Sequence, residues 1–423
     1  MSEWWARSAY SLLLRLATPL YLARLWWRGR REPLYRSHWA ERLGGVDAAP
    51  AQGRVWLHAV SLGETRAAAA LIHALRRQRP GLRLLLTHGT ATGREAGAAL
   101  LAPGDAQAWL PYDTPGAVRR FLRHHQPALG VVMETEIWPN LLHAAQQAGV
   151  PMVLANARLS DRSRAKGERL AALLHPALAR FAAVLAQSEA DAQRLRASGS
   201  AVVQVMGNLK FDVSPSPDLL RRGHAWRRDL GRAVVLAAIT REGEEDHLLR
   251  EWAAWPAPRP LLLLVPRHPQ RFDEVAQMIA DQGLHALRRS SWGDMPPPEA
   301  GAADVWLGDS LGEMPLYYAA ADVALLGGSF APLGGHNLIE AAACGCPLLM
   351  GPHTFNFAEA AELALAAGAA QRVADLREGV SRAVDLAWDA GRHDWAARAL
   401  AFAASHRGAA DRMAAAVLRL LPG

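Results

Sequence analysis

The stretch from Ala321 to Pro352 constrains the fold more than any other part of the sequence. Its apolar run, Val323 to Leu326, is typical of a buried parallel strand, and it ends at two glycines. A glycine-containing loop follows, and Asn337 then occupies an N-cap position ahead of an alanine-rich helix. Free backbone N–H groups at such a junction can receive an anion, although a tight turn without a ligand explains the glycines equally well. His336 and Glu340 in the same short turn favour a ligand.

Length and composition set the broad class of the protein. The chain has 423 residues, which is too long for one ordinary core and predicts two domains. A hydrophobic content of 51% and a charged content of 21% exclude a disordered chain. The net charge of +7, carried mainly by arginine, indicates a polyanionic partner, although a genomic bias toward arginine explains it equally well. Cys344 and Cys346 are too close for an ordinary disulfide or a zinc spacing, which favours a reducing cytoplasm.

The N-terminal segment, residues 1–31, is predicted to associate with a membrane. Trp4 to Trp27 is apolar with aromatic residues at both ends, as at a membrane interface. A spanning helix would place Arg15 near the bilayer centre. The polar residues of this segment fall on one side of a helical wheel, which favours an amphipathic helix lying in the interface. Pro19 is expected to close that helix and to start another. The alternative is a soluble helix packed on its own domain.

The first half alternates apolar runs with helical segments, which predicts a doubly wound parallel sheet. Glu64 follows the first strand, and Glu134 and Glu136 follow another, at the edge where open α/β sheets bind ligands. A lone glutamate at a helix start is usually a cap, but several polar strand ends on one edge favour a site. Prolines at 215 and 217 predict a linker, so the first domain is assigned to residues 32–215. The predicted strands are Val55–Val60, Leu84–Thr87, Gly130–Met133, Pro151–Leu154, Val184–Ala186 and Val202–Val205.

The second half, residues 216–423, repeats the alternation, and two facing sheets are expected to leave a cleft between them. Arg267 follows one of its strands and is a natural phosphate ligand, the alternative being a surface ion pair. The sequence contains no phosphate-loop, nucleophile-elbow or metalloprotease motif, and we expect no metal and no cofactor. The predicted strands are Ala233–Ile239, Pro260–Val265, Val305–Leu307, Val323–Leu326 and Pro347–Met350.

These motifs together resemble those of the 3-deoxy-D-manno-octulosonic acid (Kdo) transferases of lipopolysaccharide synthesis. The resemblance covers nearly the whole chain and implies a GT-B glycosyltransferase fold, with two facing Rossmann-like domains, the first for the acceptor and the second for the donor. The matching segments are Leu57–Glu64 (LHAVSLGE), Pro111–Leu122 (PYDTPGAVRRFL), Glu134–Leu141 (ETEIWPNL), Asn156–Ser163 (NARLSDRS), Gly207–Asp212 (GNLKFD), Pro266–Phe272 (PRHPQRF), Gly308–Met314 (GDSLGEM) and Gly327–Phe357.

The resemblance also implies the activity. Such enzymes transfer Kdo from CMP-Kdo to a lipid A precursor, with inversion, at the cytoplasmic face of the inner membrane. Glu64 matches the general base, and Glu134 and Lys210 match positions that stabilise the transition state. From their charge we expect Arg158 and Arg162 to meet acceptor phosphates. The positions that match the donor-binding motifs are Pro266, Arg267, Ser310, Leu311, Gly312, Glu313, Asn337, Leu338, Ile339 and Glu340.

The chain departs from the family pattern in one loop. Relatives commonly have Gly-Ser-Thr-His after the first strand of the second domain, where this sequence has Ala238-Ile239-Thr240-Arg241. Alanine limits close backbone approach and Ile239 has no hydroxyl, so this loop is not expected to bind the donor as it does in relatives. The alternative is that Thr240 and Arg241 substitute for the missing groups.

Two other hypotheses stay open at this point. One is a GT-B transferase that uses a different donor, such as a UDP-sugar. The other is a basic, membrane-bound polyanion binder without activity, which explains the charge and the N-terminus but not the polar strand ends. Nucleic acid is not an expected partner, because the motifs lack aromatic platforms for stacking bases.

Overall fold

Two seven-stranded parallel sheets organise the chain, and this confirms the predicted pair of doubly wound domains. The structure is a computed structural model that describes residues 2–45, 52–212 and 214–421. The first unit consists of the residues up to Asp212 together with those from Gly408 onward, and the second unit consists of the residues between them.

The strands of the first sheet lie in the order β3-β2-β1-β4-β5-β6-β7, and those of the second in the order β10-β11-β9-β8-β12-β13-β14. The first sheet contains β1 (Val55–His58), β2 (Leu84–His88), β3 (Ala106–Trp109), β4 (Leu129–Met133), β5 (Met152–Ala157), β6 (Ala183–Ala186) and β7 (Val203–Val205). The second contains β8 (Val234–Thr240), β9 (Leu261–Pro266), β10 (Ala286–Arg288), β11 (Val305–Leu307), β12 (Val323–Leu326), β13 (Leu348–Met350) and β14 (Ala370–Arg372).

Helices connect successive strands and cover both faces of each sheet. The first nine are α1 (Glu3–Arg28), α2 (Trp39–Arg42), α3 (Leu62–Gln78), α4 (Ala91–Ala98), α5 (Pro115–His125), α6 (Pro139–Gln147), α7 (Asp161–Glu168), α8 (Ala171–Leu178) and α9 (Glu189–Ala197). The others are α10 (Pro217–Leu230), α11 (Glu244–Ala253), α12 (Phe272–Asp281), α13 (Met314–Ala320), α14 (Leu338–Ala343), α15 (Ala358–Ala366), α16 (Leu376–Trp388), α17 (Arg392–His406) and α18 (Ala409–Leu418).

In each sheet the strand order reverses beside the first strand, between β1 and β4 in the first sheet and between β8 and β12 in the second. Connections leave toward opposite faces at such a point, so a crevice opens at the carboxyl ends of the two strands. The residues that follow these four strands are therefore the first place to look for a site in each unit.

The C-terminal helix differs from the predicted domain boundaries, which assigned residues 216–423 to the second domain. Helix α18 packs on α3, and its Met413 and Val417 are fully buried in the core of the first unit. The carboxylate of Asp212 accepts hydrogen bonds from the backbone N–H groups of Gly408, at 2.6 Å, and of Ala410. The chain thus returns to its first unit after completing the second.

Helix α1 is continuous from Glu3 to Arg28 with Pro19 inside it, so the prediction that Pro19 closes the helix was wrong. The side that carries Ala6 and Ser11 faces the first unit, where Tyr10 donates a hydrogen bond to Asp113 at 3.0 Å and Ser11 donates one to Asn140 at 3.1 Å. The large apolar side chains are left exposed, notably Trp5, Leu12, Leu13, Leu16, Leu20 and Trp27. Within the described ranges, no helix has both the length and the apolar character needed to cross a membrane.

Candidate active site

Three carboxylates lie close together where the strand order of the first sheet reverses. Glu64 is in the first turn of α3, directly after β1, and Glu134 and Glu136 follow β4. The charge of Glu134 acts on Glu64, and the charges of Glu64 and Glu134 both act on Glu136. Side chains that are seventy residues apart in sequence thus converge because their strands are neighbours in the sheet.

Glu64 is held by a variant of the capping box. Ser61 is the N-cap of α3 and accepts a hydrogen bond from the Glu64 N–H, while the Glu64 carboxylate accepts one from the Val60 N–H at 2.8 Å. The Ser61 hydroxyl also donates to this carboxylate at 3.3 Å. Burial and then the charge of Glu134 raise the pKa of Glu64, and they outweigh the opposing effects of the Val60 and Ser61 hydrogen bonds and of Lys210.

Lys210 supplies the positive charge in this group. Its Nζ lies 3.5 Å from the Glu134 carboxylate, and its side chain is 40% exposed. Asn208 caps the short 3₁₀ helix that carries Lys210, and Asn156 accepts a hydrogen bond from the N–H of Leu209 at 3.0 Å. A lysine fixed in this way can face an anionic substrate while it stays close to its carboxylate partner.

Two non-glycine residues at these strand ends have left-handed backbones. The φ angles are 56° for Glu134 and 53° for Asn156. Such conformations are uncommon outside glycine and cluster at functional sites, where the surrounding structure holds them. They turn the chain sharply at the carboxyl ends of β4 and β5, which brings Glu134 toward Glu64 and Asn156 toward the Lys210 segment.

Glu136 is a residue that the sequence placed at this edge without assigning it to the site. Burial and then the charge of Glu64 raise its pKa to about 7, while Trp138 opposes the rise. The two candidate acceptor-binding arginines differ in position. Arg158 lies next to Glu134, with its N–H donating to the Glu134 carbonyl at 3.4 Å, whereas Arg162 is an exposed residue of α7.

In the second unit, Glu244 organises the loops at the point where the strand order reverses. Its carboxylate accepts hydrogen bonds from the N–H groups of Gly328 at 2.7 Å, Phe330 at 3.2 Å and Ala331 at 3.3 Å, all in the loop after β12. A fourth comes from the N–H of Arg241 at 3.0 Å. This role was not predicted from the sequence. It could have been suspected because Glu244 lies at the start of the helix after β8, just as Glu64 lies in the first turn of the helix after β1.

The loop that departs from the family pattern is tightly packed. Ile239 has a φ of 59°, which is strained for a β-branched residue. A Cβ on Gly327 would lie 2.3 Å from the Ile239 carbonyl oxygen, so this glycine is required. Thr240 accepts a hydrogen bond from the N–H of Arg267 at 2.9 Å, which fixes the backbone after Pro266 at the end of β9.

Four basic side chains surround this loop, and together we call them the basic cluster: Arg241, Arg267, His268 and His336. Burial, and then repulsion from the other three, lowers the pKa of His336 to about 4. Nε of Arg241 and Nε2 of His336 are buried and have no hydrogen-bond partner in the described part of the chain. Arginine charge beside buried nitrogens without partners is the arrangement expected of an anion site.

The predicted residues of α14 divide into two kinds. Asn337 is the N-cap, and its side chain accepts a hydrogen bond from the N–H of Ile339 at 3.2 Å, as the sequence predicted. Leu338 and Ile339 are buried, so only their backbone can face a ligand. Burial raises the pKa of Glu340, and no other group among the described residues offsets that rise. Arg241 and Arg267 of the basic cluster add full positive charges to the partial charge at the start of this six-residue helix.

The remaining donor-site positions lie between β11 and α13. Ser310 donates a hydrogen bond to Glu313 at 2.6 Å, and Glu313 in turn forms an ion pair with Arg289 at 2.9 Å. Leu311 is 75% exposed, and Gly312 has a φ of 79°. Among residues 2–45, 52–212 and 214–421, no group of His, Cys, Asp and Glu side chains is arranged to hold a metal ion.

Comparison with known proteins identifies relatives along the whole chain. Residues 37–213 match the family model described as 3-deoxy-D-manno-octulosonic-acid transferase. A 3-deoxy-D-manno-octulosonic acid transferase of Bordetella pertussis is 49% identical over 96% of this chain and 97% of its own. One of Haemophilus influenzae is 35% identical over 90% of each chain. Anabaena Alr3699/HepE in complex with UDP is 16% identical with a TM-score of 0.53, covering 86% of this chain and 99% of its own, and shows the fold alone.

Proposed function

The chain belongs to the Kdo transferases, which are glycosyltransferases, and from this premise we propose that it moves Kdo from CMP-Kdo to a lipid A precursor with inversion. The observation that carries the proposal is the group of carboxylates at the β1/β4 reversal, with Lys210 beside it. Glu64 in this group has a raised pKa, as a base requires, and the Lys210 ammonium lies close enough to act on the same substrate.

In the proposed reaction, Glu64 takes the proton from the acceptor hydroxyl while its oxygen attacks the anomeric carbon of Kdo. The bond from that carbon to the phosphate oxygen breaks, and CMP leaves with the electron pair. A raised pKa makes Glu64 a stronger base than a solvated glutamate. General-base catalysis by a positioned group contributes about 10²–10⁴-fold to the rate.

Lys210 and Glu134 are proposed to stabilise the transition state. The Lys210 ammonium would face negative charge on the Kdo carboxylate or on the departing phosphate, and Glu134 fixes its position through their 3.5 Å contact. One well-aimed donor of this kind contributes about 10²–10³-fold.

We assign the CMP moiety to the second unit, where the basic cluster would hold its phosphate. The buried, unused donors of Arg241 and His336 support this assignment more strongly than the short helix α14 does. Glu340 and the loop from Ser310 to Gly312 are proposed to contact the ribose hydroxyls and the cytosine base of CMP. Arginine and histidine donors with backbone amides provide the positive charge that a monophosphate leaving group needs.

We further propose that α1 lies on the cytoplasmic face of the inner membrane. The side with Tyr10 and Ser11 is occupied by contacts with the first unit, while Leu16 and Leu20 are 71% and 74% exposed. Replacing both with glutamate should abolish co-flotation with anionic phospholipid vesicles, because charge replaces the apolar area that enters the interface. Leu400→Glu, at an exposed leucine of α17, is the control. Unchanged flotation of the double variant would contradict this orientation.

The decisive assay supplies CMP-Kdo and a tetra-acylated lipid A precursor and identifies the product by mass spectrometry. We expect CMP release that depends on the acceptor and a product heavier by Kdo. Binding of CMP should also raise the melting temperature, and UDP should not, because only a ligand of the native state shifts the midpoint. Stabilisation by UDP alone would favour another donor.

A further inference from the structure

The first unit contains a cavity of about 320 Å³ beside Glu134, at the lower end of the roughly 300–1,000 Å³ typical of small-molecule sites. Helices α7, α8 and α9 and the ends of β4 and β5 surround it. The apolar side chains in its wall are Ile137, Leu154, Leu159, Leu174, Leu178 and Leu195. This part of the wall favours hydrocarbon, because it offers no partners to polar groups. The rest of the lining is polar and can meet a headgroup: Glu134, Thr135, Arg158, Ser163, Arg164, His175 and Ser198.

Basic residues accompany the apolar wall. Arg158 and Arg164 also line the cavity, and neither forms an ion pair within the described part of the chain. Arg158 is exposed, so its guanidinium can meet solvent or a ligand while the leucines stay covered. A ligand that combines an apolar tail with an anionic headgroup matches this arrangement.

Helix α7 covers the cavity in an unusual way. It contributes Ser163, Arg164 and Gly167 to the lining, yet none of its own residues is buried. A helix gains most of its stability from the apolar surface that it buries, so α7 gains little from its own packing. An apolar ligand beneath it would supply the missing contacts.

Helix α8 connects the cavity with the helix that we place on the membrane. Leu174 and Leu178 of α8 line the cavity, and α8 also packs against α1. Near the end of α8, Arg180 forms an ion pair with Glu3 of α1 at 2.6 Å. The cavity therefore lies one helix away from the surface that would meet the lipid.

We propose that this cavity binds one acyl chain of the acceptor, with the acceptor's phosphate at Arg158 and Arg164. The proposal rests on the function proposed above and adds a specificity site to it. Glu134 belongs to both the cavity and the carboxylate group, so an acyl chain held here places the acceptor's sugar beside Glu64.

Gly167→Leu tests the proposal by filling the cavity. A Cβ at Gly167 meets only Leu174 Cδ1, at 3.5 Å, which is an ordinary contact, so the helix can accept the side chain. Each methylene contributes about fourfold to partitioning, and a leucine side chain displaces a few of them. We expect kcat/KM for the tetra-acylated acceptor to fall by about 10- to 100-fold, and kcat/KM for the fully deacylated bisphosphorylated disaccharide to stay unchanged.

Ala165→Leu is the matched control, since it adds the same side chain to an exposed position of α7 that does not line the cavity. Leu174→Ala provides the opposite change, because it enlarges the cavity at a half-buried position and should shift the preferred acyl length upward. Melting temperatures of all variants establish that they are folded.

The possible results separate this inference from the proposed function. Wild-type kcat/KM for the acylated acceptor in Gly167→Leu, or an unchanged length preference in Leu174→Ala, would overturn the acyl site while Kdo transfer stands. An equal loss of activity on both acceptors in Gly167→Leu would also overturn it, because the effect would then not depend on the acyl chain. If the unmodified enzyme released no CMP with either acceptor, the proposed function itself would fail.

Discussion

Glu64 and Glu244 occupy matching places in the two units. Each lies in the first turn of the helix that follows the first strand of its sheet, beside the point where the strand order reverses. The Glu64 carboxylate accepts one backbone N–H and one hydroxyl hydrogen bond, whereas the Glu244 carboxylate accepts hydrogen bonds from four backbone N–H groups. The same residue type at the same topological position thus has two different environments.

The difference lies in how many donors surround each carboxylate. The donors of Glu64 are too few to offset burial and a neighbouring carboxylate, so its pKa is raised and it retains lone pairs for a substrate proton. The lone pairs of Glu244 accept hydrogen bonds from backbone amides of the loop after β12, and Glu244 thereby holds that loop in place. Position in the fold therefore identifies a glutamate as a candidate catalytic residue. Its hydrogen-bond partners then indicate whether it can act as a base or serves to hold a loop.

The largest effect is expected from Glu64→Gln. Glutamine can still accept the Val60 N–H hydrogen bond but cannot take a proton, so kcat should fall by about 10²–10⁴-fold. Binding of CMP, measured by calorimetry, should stay unchanged, because the donor is assigned to the other unit. Near-normal turnover of this variant would remove Glu64 as the base.

Glu244→Ala should affect donor binding before chemistry. It leaves four N–H groups without their acceptor, and each unsatisfied buried donor costs about 1–3 kcal/mol. We expect a lower melting temperature and at least a tenfold weaker affinity for CMP. The control is Glu242→Ala, an exposed glutamate in the same loop. Equal effects of the two substitutions would show that Glu244 does not anchor the loop.

Glu136 adds a third environment, a carboxylate with little hydrogen bonding, and its pKa is about 7. Because this pKa is above the unfolded value, the native state favours the protonated form, and its stability should fall as pH rises from about 4.5 to about 7. Glu136→Gln removes this penalty and should stabilise the protein by ~1–2 kcal/mol at pH 8. The variant and the wild type should melt together at pH 4, and a gain that did not depend on pH would argue against the raised pKa.

The sequence predicted the architecture well because most of the strands are buried, and burial leaves apolar runs. The three strands that it missed, β3, β10 and β14, are at sheet edges, where half-exposed positions such as Gln107 and Gln371 interrupt the apolar pattern. The carboxylates were found because they follow recognisable strands. The role of Glu244 was not predicted, because three of its hydrogen-bond partners lie in a loop more than eighty residues further along the chain. No local sequence pattern indicates such a contact.

Ser61→Ala is expected to have the smallest effect. It tests directly whether the hydrogen-bond donors around Glu64 set its basicity. It removes the N-cap of α3 and one of the donors to Glu64, so the helix should lose about 1 kcal/mol. The Ser61 hydrogen bond lowers the pKa of Glu64, so its removal should raise that pKa further. The base would then be protonated at a higher pH, and the acid limb of kcat/KM should move upward. Ser188→Ala removes the equivalent cap of α9 and should cost similar stability without moving the pH profile. An unmoved profile in Ser61→Ala would mean that the number of donors does not set the basicity of Glu64.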